Sequence, residues 1–137
     1  MDLQTLQQRA LAARELSHTI PSDQGDITYR LRVPTRHEVL LAAQRSGAMQ
    51  AGGDRAALLV TQRAVLEAAV IGWQGARVRH VLPPDQAQSE ADTPLPWEPG
   101  AVPLLLDAQP EAAQALAELI NQRMAQRAAA VEADAKN

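Results

Sequence analysis

Ile27-Thr28-Tyr29-Arg30-Leu31-Arg32-Val33-Pro34-Thr35-Arg36-His37-Glu38 holds a strand, a stop and a helix start in one short run. Ile27, Tyr29, Leu31 and Val33 alternate with Thr28, Arg30 and Arg32, the two-residue period of a half-buried strand. Tyr29 falls on the apolar side and is expected in the core. Pro34 cannot donate to a ladder and ends the strand. Thr35 and Glu38 have the spacing of a capping box, in which the Thr hydroxyl takes the N3 amide and the Glu carboxylate reaches back. A short helix follows through Val39, Leu40, Ala42 and Ala43 and stops near Gly47. A strand beside a capped helix, in a chain otherwise dominated by helical spacing, predicts a mainly α fold. It is a small helical domain with a short antiparallel β element.

Toward the N-terminus, Leu3, Leu6, Ala10 and Ala13 recur at helical steps, which predicts a helix over residues 2–18. Residues 21–26 then read as a turn or linker. Toward the C-terminus, Gly52-Gly53 breaks the chain and Asp54 is placed to cap the next helix. Leu58 or Leu59, then Val65, Leu66, Ala69, Val70 and Trp73, form its apolar stripe to about Ile71, the expected centre of the core. Gly72 and Gly75 flank Trp73 and are expected to end that helix. Residues 77–82 predict a second strand that pairs with 27–33. A lone two-stranded ribbon is marginal, so helices must cover one face.

Six of the nine prolines fall within residues 83–103, which read as a long Pro-rich loop anchored by Trp97. Residues 102–107 predict a short helix. Pro110 suits the first position of a final helix, with Ala113, Leu116, Ala117, Ile120, Met124, Ala128 and Val131 on one stripe. The expected organisation is a single domain over 1–137. It comprises an N-terminal helix and linker (1–25), a strand–helix–helix–strand core (26–82), the Pro-rich loop (83–103), C-terminal helices (104–132) and a frayed tail (133–137).

Composition narrows the function. Of 137 residues, 27 are Ala, none is Phe, and Leu, Ile and Val number 30, so the core must be thin and built on a few large anchors. Cysteine is absent, which excludes disulfides, a thiol nucleophile and Cys-based metal sites. No apolar run reaches the ~20 residues of a membrane span, and the first residues lack the cationic and apolar regions of a signal peptide. A cytoplasmic protein with no membrane partner is expected. Residues 1–82 carry a net charge of +3 and residues 83–137 a net of −6. Ten arginines spread over the first part make no concentrated basic face, so no nucleic-acid partner is expected.

The chemistry-bearing residues do not assemble into a catalytic pattern. His18, His37 and His80 lie far apart in sequence, without ligand spacing, and read as surface or capping histidines. No phosphate-binding glycine motif and no serine in a nucleophile-elbow setting is present. An enzyme, a metal and a cofactor are therefore not expected. Residues 35–46 and 54–71 could form a DNA-binding helix-turn-helix. Their link of about seven residues exceeds the usual three or four, and the second helix is apolar where a recognition helix is polar. A binding or assembly role remains. The candidate partner-binding residues are Trp73, Trp97, Leu116, Ile120, Met124 and Val131. Leu116, Ile120 and Trp73 also suit a core, whereas the stretch from Met124 to Val131 suits partner contact or disorder.

Three segments together resemble the tail assembly chaperones of long-tailed phages and prophages: Leu31-Arg32-Val33-Pro34-Thr35-Arg36-His37-Glu38-Val39, Ala69-Val70-Ile71-Gly72-Trp73-Gln74-Gly75, and Pro94-Leu95-Pro96-Trp97-Glu98-Pro99 before two helices. Gln74 stands where that family often has an acidic residue. The resemblance spans roughly residues 27–125. It implies a small, helical, non-catalytic cytoplasmic protein that binds and solubilises the tape-measure protein and helps recruit tail-tube subunits. Helix-in-groove contact would cover the client's apolar stripes, and many copies along one client would add avidity. A homo-oligomer is open. Lys136 is the only lysine. Ala135-Lys136-Asn137 can be encoded A-AAA-AAC, the form of a −1 slippery site, and the resemblance implies a frameshifted longer form. The alternatives are a structural tail or head–tail completion protein retained in the particle and, in another class, a small DNA-binding regulator.

Overall fold

In a computed structural model the chain is 61% helical, with six α-helices and one three-stranded antiparallel sheet. The structure describes residues 1–136; Asn137, half of the Lys-Asn codon reading, lies outside them. The elements are α1 (Leu3–Ala12), β1 (Glu15–Ile20), β2 (Ile27–Arg32), α2 (Arg36–Arg45), α3 (Asp54–Ala69), β3 (Val70–Gln74), α4 (Pro84–Ala87), α5 (Ala101–Ala108) and α6 (Pro110–Lys136). The sheet order is β1-β2-β3.

β2 is the central strand, and the alternation read from it holds. Ile27, Tyr29 and Leu31 are buried, as is Val33 beyond its end. They face Leu66, Ala69, Leu105, Leu106, Leu116 and Ile120 from α3, α5 and α6. Thr35 and Glu38 form the reciprocal capping box at the start of α2. Arg63 on α3 ties the helical layer together by pairing with Glu67 at 3.0 Å and with Asp107 on α5 at 2.6 Å.

Several boundaries differ from the sequence expectation. The N-terminal helix ends at Ala12 instead of residue 18, and Glu15–Ile20 is a strand. Leu16, His18 and Ile20 alternate, and pairing with Leu31, Tyr29 and Ile27 outweighs a helical spacing carried by only four residues. The second strand is not 77–82 but β3, directly after α3, paired with β2 from Thr28↔Gln74 to Leu31↔Val70. Val70 and Ile71 favour extended backbone, and Gly72 lets Arg30 pack on it at 3.6 Å from a would-be Cβ. Gly72 and Gly75 therefore sit in and after a strand and do not end the helix. Residues 78–80 form a 3-10 turn. Asp54 does not cap α3; Gly53 holds the cap position at φ 112° and Asp54 opens the helix. The Pro-rich stretch 83–103 is not wholly a loop: Pro84 starts α4, and α5 begins at Ala101. α6 runs through Lys136, past the expected end near Val131.

Tyr29 is fully buried, and its hydroxyl has no hydrogen-bond partner among the described residues. Burial pushes its ionisation from 10.0 up to about 12. The folded state thus holds that proton more tightly than the unfolded chain. The associated stability is complete below pH 10 and lost as pH rises through 12. Tyr29→Phe is expected to match or exceed the parent by up to about 1 kcal/mol at neutral pH, because it removes an unpaired buried hydroxyl. It should also remove this alkaline loss. Urea denaturation at neutral pH and near pH 11 checks both.

Candidate functional site

The longest helix supplies the site. α6 starts at Pro110 and runs for 27 residues. Its first half is core: Ala112, Ala113, Leu116 and Ile120 are buried against α3, α5 and the sheet. After Ile120 the burial stops. Every described side chain from Asn121 to Ala135 is exposed except the half-buried Met124. At 1.5 Å per residue, the part beyond Met124 projects roughly 18 Å.

Where α6 leaves the body, it and α3 enclose an apolar groove of about 170 Å³. Its floor is Val65, Leu66 and Ile120; its walls are Leu58 on α3, Met124 on α6 and Val39 on α2. Thr61, Gln62 and Asn121 form a rim without formal charge. Leu58 is 56% exposed although it points into this groove, and Leu59 on the next helical face is 57% exposed. The α2 wall is fixed from below. Glu38 accepts from the Thr35 backbone N–H at 3.0 Å and pairs with Arg14. Partial desolvation raises the Glu38 carboxyl, but these bonds outweigh it and hold it below its ordinary range.

The six residues singled out from sequence do not converge. Ile120 and Met124 meet in the groove. Leu116 is sealed in the core. Val131 lies two turns beyond Met124 on the exposed arm, at 69% exposure. Trp73 is half-buried in β3 and its indole N–H donates to Leu95 O at 2.8 Å. Trp97 returns the bond in the opposite sense, donating to Val70 O at 3.3 Å. The two indoles clasp the Pro-rich segment to β3. Trp97 also walls a broader depression of about 730 Å³ beside Leu41, Ile71 and Val102, where Glu38, Arg45 and Glu67 intrude.

Sequence reasoning missed Val39 and Leu58 as groove walls. The available signal was Leu58-Leu59: two adjacent large residues on a helix cannot both face one core. His80 caps the 78–80 turn, as a capping histidine would, but it is buried at 2% exposure and not on the surface. Its Nδ1 accepts from Arg77 N–H at 2.9 Å, which places the ring proton on Nε2 for donation to Gly25 O at 2.9 Å.

No protein-family model matches the chain, and neither curated proteins nor solved structures give a significant match. No group of histidine and carboxylate side chains that could hold a metal occurs among the described residues. No helix among them is long and apolar enough to cross a membrane.

Proposed function

We propose that this chain is a non-catalytic phage or prophage tail assembly chaperone, which holds the tape-measure protein soluble in the host cytoplasm and helps recruit tail-tube subunits. The observation that carries the proposal is the open α3–α6 groove continuing into an unburied helical arm. A tape-measure protein presents long apolar helical stripes. A client helix laid along α6 would place its apolar residues against Leu58, Val65, Ile120 and Met124, with Val131 extending the same stripe. Fully burying a large apolar side chain contributes about 1.5–3 kcal/mol, so the partly exposed walls give each copy a modest, reversible grip. Repetition along the client supplies avidity. The rim of Thr61, Gln62 and Asn121 imposes no charge on the client, which suits a long and varied sequence. The three resembling segments support the same reading independently.

Co-expression with the tape-measure protein of the same phage or prophage tests it. The parent chain should raise the client's soluble fraction several-fold and co-purify with it. Leu58→Glu in the groove wall should lose both while keeping its melting temperature, because Leu58 is more than half exposed already. A parent chain that leaves the client insoluble refutes the proposal. Mass spectrometry of finished particles separates it from a retained structural protein, since a chaperone is absent from them.

A further inference from the structure

The two edges of the sheet are treated differently. On the β3 side the chain covers itself. Leu95 N–H donates to Ala76 O at 2.8 Å, Arg77 bridges Pro94, and the Trp97 indole reaches Val70 O. Among the described residues, nothing equivalent lies against β1. Val33 N–H donates to Arg14 O at 2.8 Å, and the ladder continues without a bulge from Glu15↔Arg32 to Ile20↔Ile27. Backbone groups alternate in direction along a strand. Leu16, His18 and Ile20 therefore turn theirs toward β2, and Glu15, Ser17 and Thr19 turn theirs outward. Among the described residues, none of those three makes a backbone hydrogen bond outside the sheet.

Natural edge strands are usually blunted by proline, lysine, a bulge or a covering element. β1 contains no proline and no lysine, its register is regular, and α1 two residues upstream buries none of its own side chains. Its one acidic residue, Glu15, is drawn over the outer sheet face by Arg30 at 3.3 Å and Arg32 at 3.1 Å.

The inner face of β1 is also incompletely covered. Leu16, His18 and Ile20 stand opposite Leu31, Tyr29 and Ile27 on the side that faces the helices. The β2 residues are sealed, yet Leu16 and Ile20 are only half-buried and His18 is exposed. The sheet overhangs its helical layer by one strand.

We infer that β1 pairs antiparallel with β1 of a second copy of this chain, joining two three-stranded sheets into one six-stranded sheet. The strand is self-complementary about Ser17. A two-fold axis there sets Ser17 opposite Ser17, Glu15 opposite Thr19 and Leu16 opposite His18. No like charges face each other, and all three outward residues of each strand gain partners. A second copy fits better than an unrelated extended peptide because of α1. Its Leu3 and Leu6 are 69% and 55% exposed. In the antiparallel pair, Arg14 comes opposite the partner's Ile20, and the short Ala13-Arg14 link keeps α1 close to the end of the partner's β1, where its exposed leucines have apolar surface within reach. One closed, isologous contact thereby occupies the edge groups of both strands. The client groove lies on α3 and α6, so this inference stands apart from the proposed function.

Light scattering on the full chain should give about twice the 14.8 kDa protomer mass. Ser17→Pro should halve it with unchanged circular dichroism: the outward Ser17 N–H serves no bond within the chain, and edge strands tolerate proline there. Ser17→Cys, in a chain without cysteine, should oxidise to a covalent dimer, while Arg36→Cys on exposed α2 should not. A parent chain that stays monomeric overturns the inference. So does a dimer that survives Ser17→Pro. If Ser17→Pro unfolds, the Cys pair decides: Ser17→Cys that cross-links no faster than Arg36→Cys also overturns it.

Discussion

Gly75→Ala should destabilise the protein by about 3 kcal/mol or more, a large part of the 5–15 kcal/mol typical of a folded domain. Two effects combine. Gly75 sits at φ +88°, a conformation that costs an L side chain on the order of 1–3 kcal/mol. A Cβ built there would lie 2.5 Å from Asp26 O and 3.8 Å from Ile27 Cα. Both neighbours are backbone, so no side-chain rotation relieves the overlap. The chain must instead move at the start of β2, which opens the sheet where Thr28 faces Gln74. Gly72→Ala is the internal control. Its nearest neighbours are side-chain atoms of Arg30 at 3.6 Å, an ordinary contact. Urea denaturation of both variants should separate them by at least 2 kcal/mol. Equal midpoints would show that the 26–75 crossing is not as tight as described.

His80→Ala should cost about 3–4 kcal/mol through lost buried hydrogen bonds and the space left behind. His80 links three segments that are remote in sequence. Its ring joins Arg77 to Gly25, and its carbonyl accepts from Gln109 Nε2 at 2.8 Å. Gln109 in turn reaches Gln24 Oε1 at 3.1 Å. The β1–β2 turn and the turn after β3 thus meet at the imidazole, and the α5–α6 link joins them at the backbone carbonyl of the same residue. The two ring nitrogens can be tested apart. His80→Asn keeps an acceptor near Nδ1 and should recover part of the Arg77 bond. His80→Gln keeps a donor near Nε2 and should recover part of the Gly25 bond. Both are expected between parent and alanine variant in thermal melts. Alanine behaving like the parent would remove His80 from any structural role.

The elements that carried their own local signal were legible. The Thr35–Glu38 box, the alternation of Ile27 to Val33, the apolar run of α5 and Pro110 at the head of α6 each needed only their own residues. What failed depended on a distant partner. Glu15–Ile20 is a strand because β2 lies beside it, and Val70–Gln74 leaves the helix because β2 needs a second neighbour. The same dependence hid the candidate site. Ile120 and Met124 were read from the α6 stripe, but Leu58 becomes a groove wall only because the fold sets α3 beside α6. His80 reads as a surface or capping residue until the fold closes Gly25 and Gln109 around it.

The clasp between β3 and the Pro-rich segment has a consequence for anyone who watches this protein with light. Trp73 and Trp97 are the only tryptophans, and each donates its indole proton across the same seam. Tryptophan fluorescence therefore reports first on that seam and, because Trp73 stands opposite Tyr29, on the β2–β3 pairing, whereas the α6 arm carries no tryptophan. Far-UV dichroism is weighted instead toward α6, the longest helix. The two signals weight different parts of the molecule, and agreement between their transitions is a measure of how far the body and its arm melt as one.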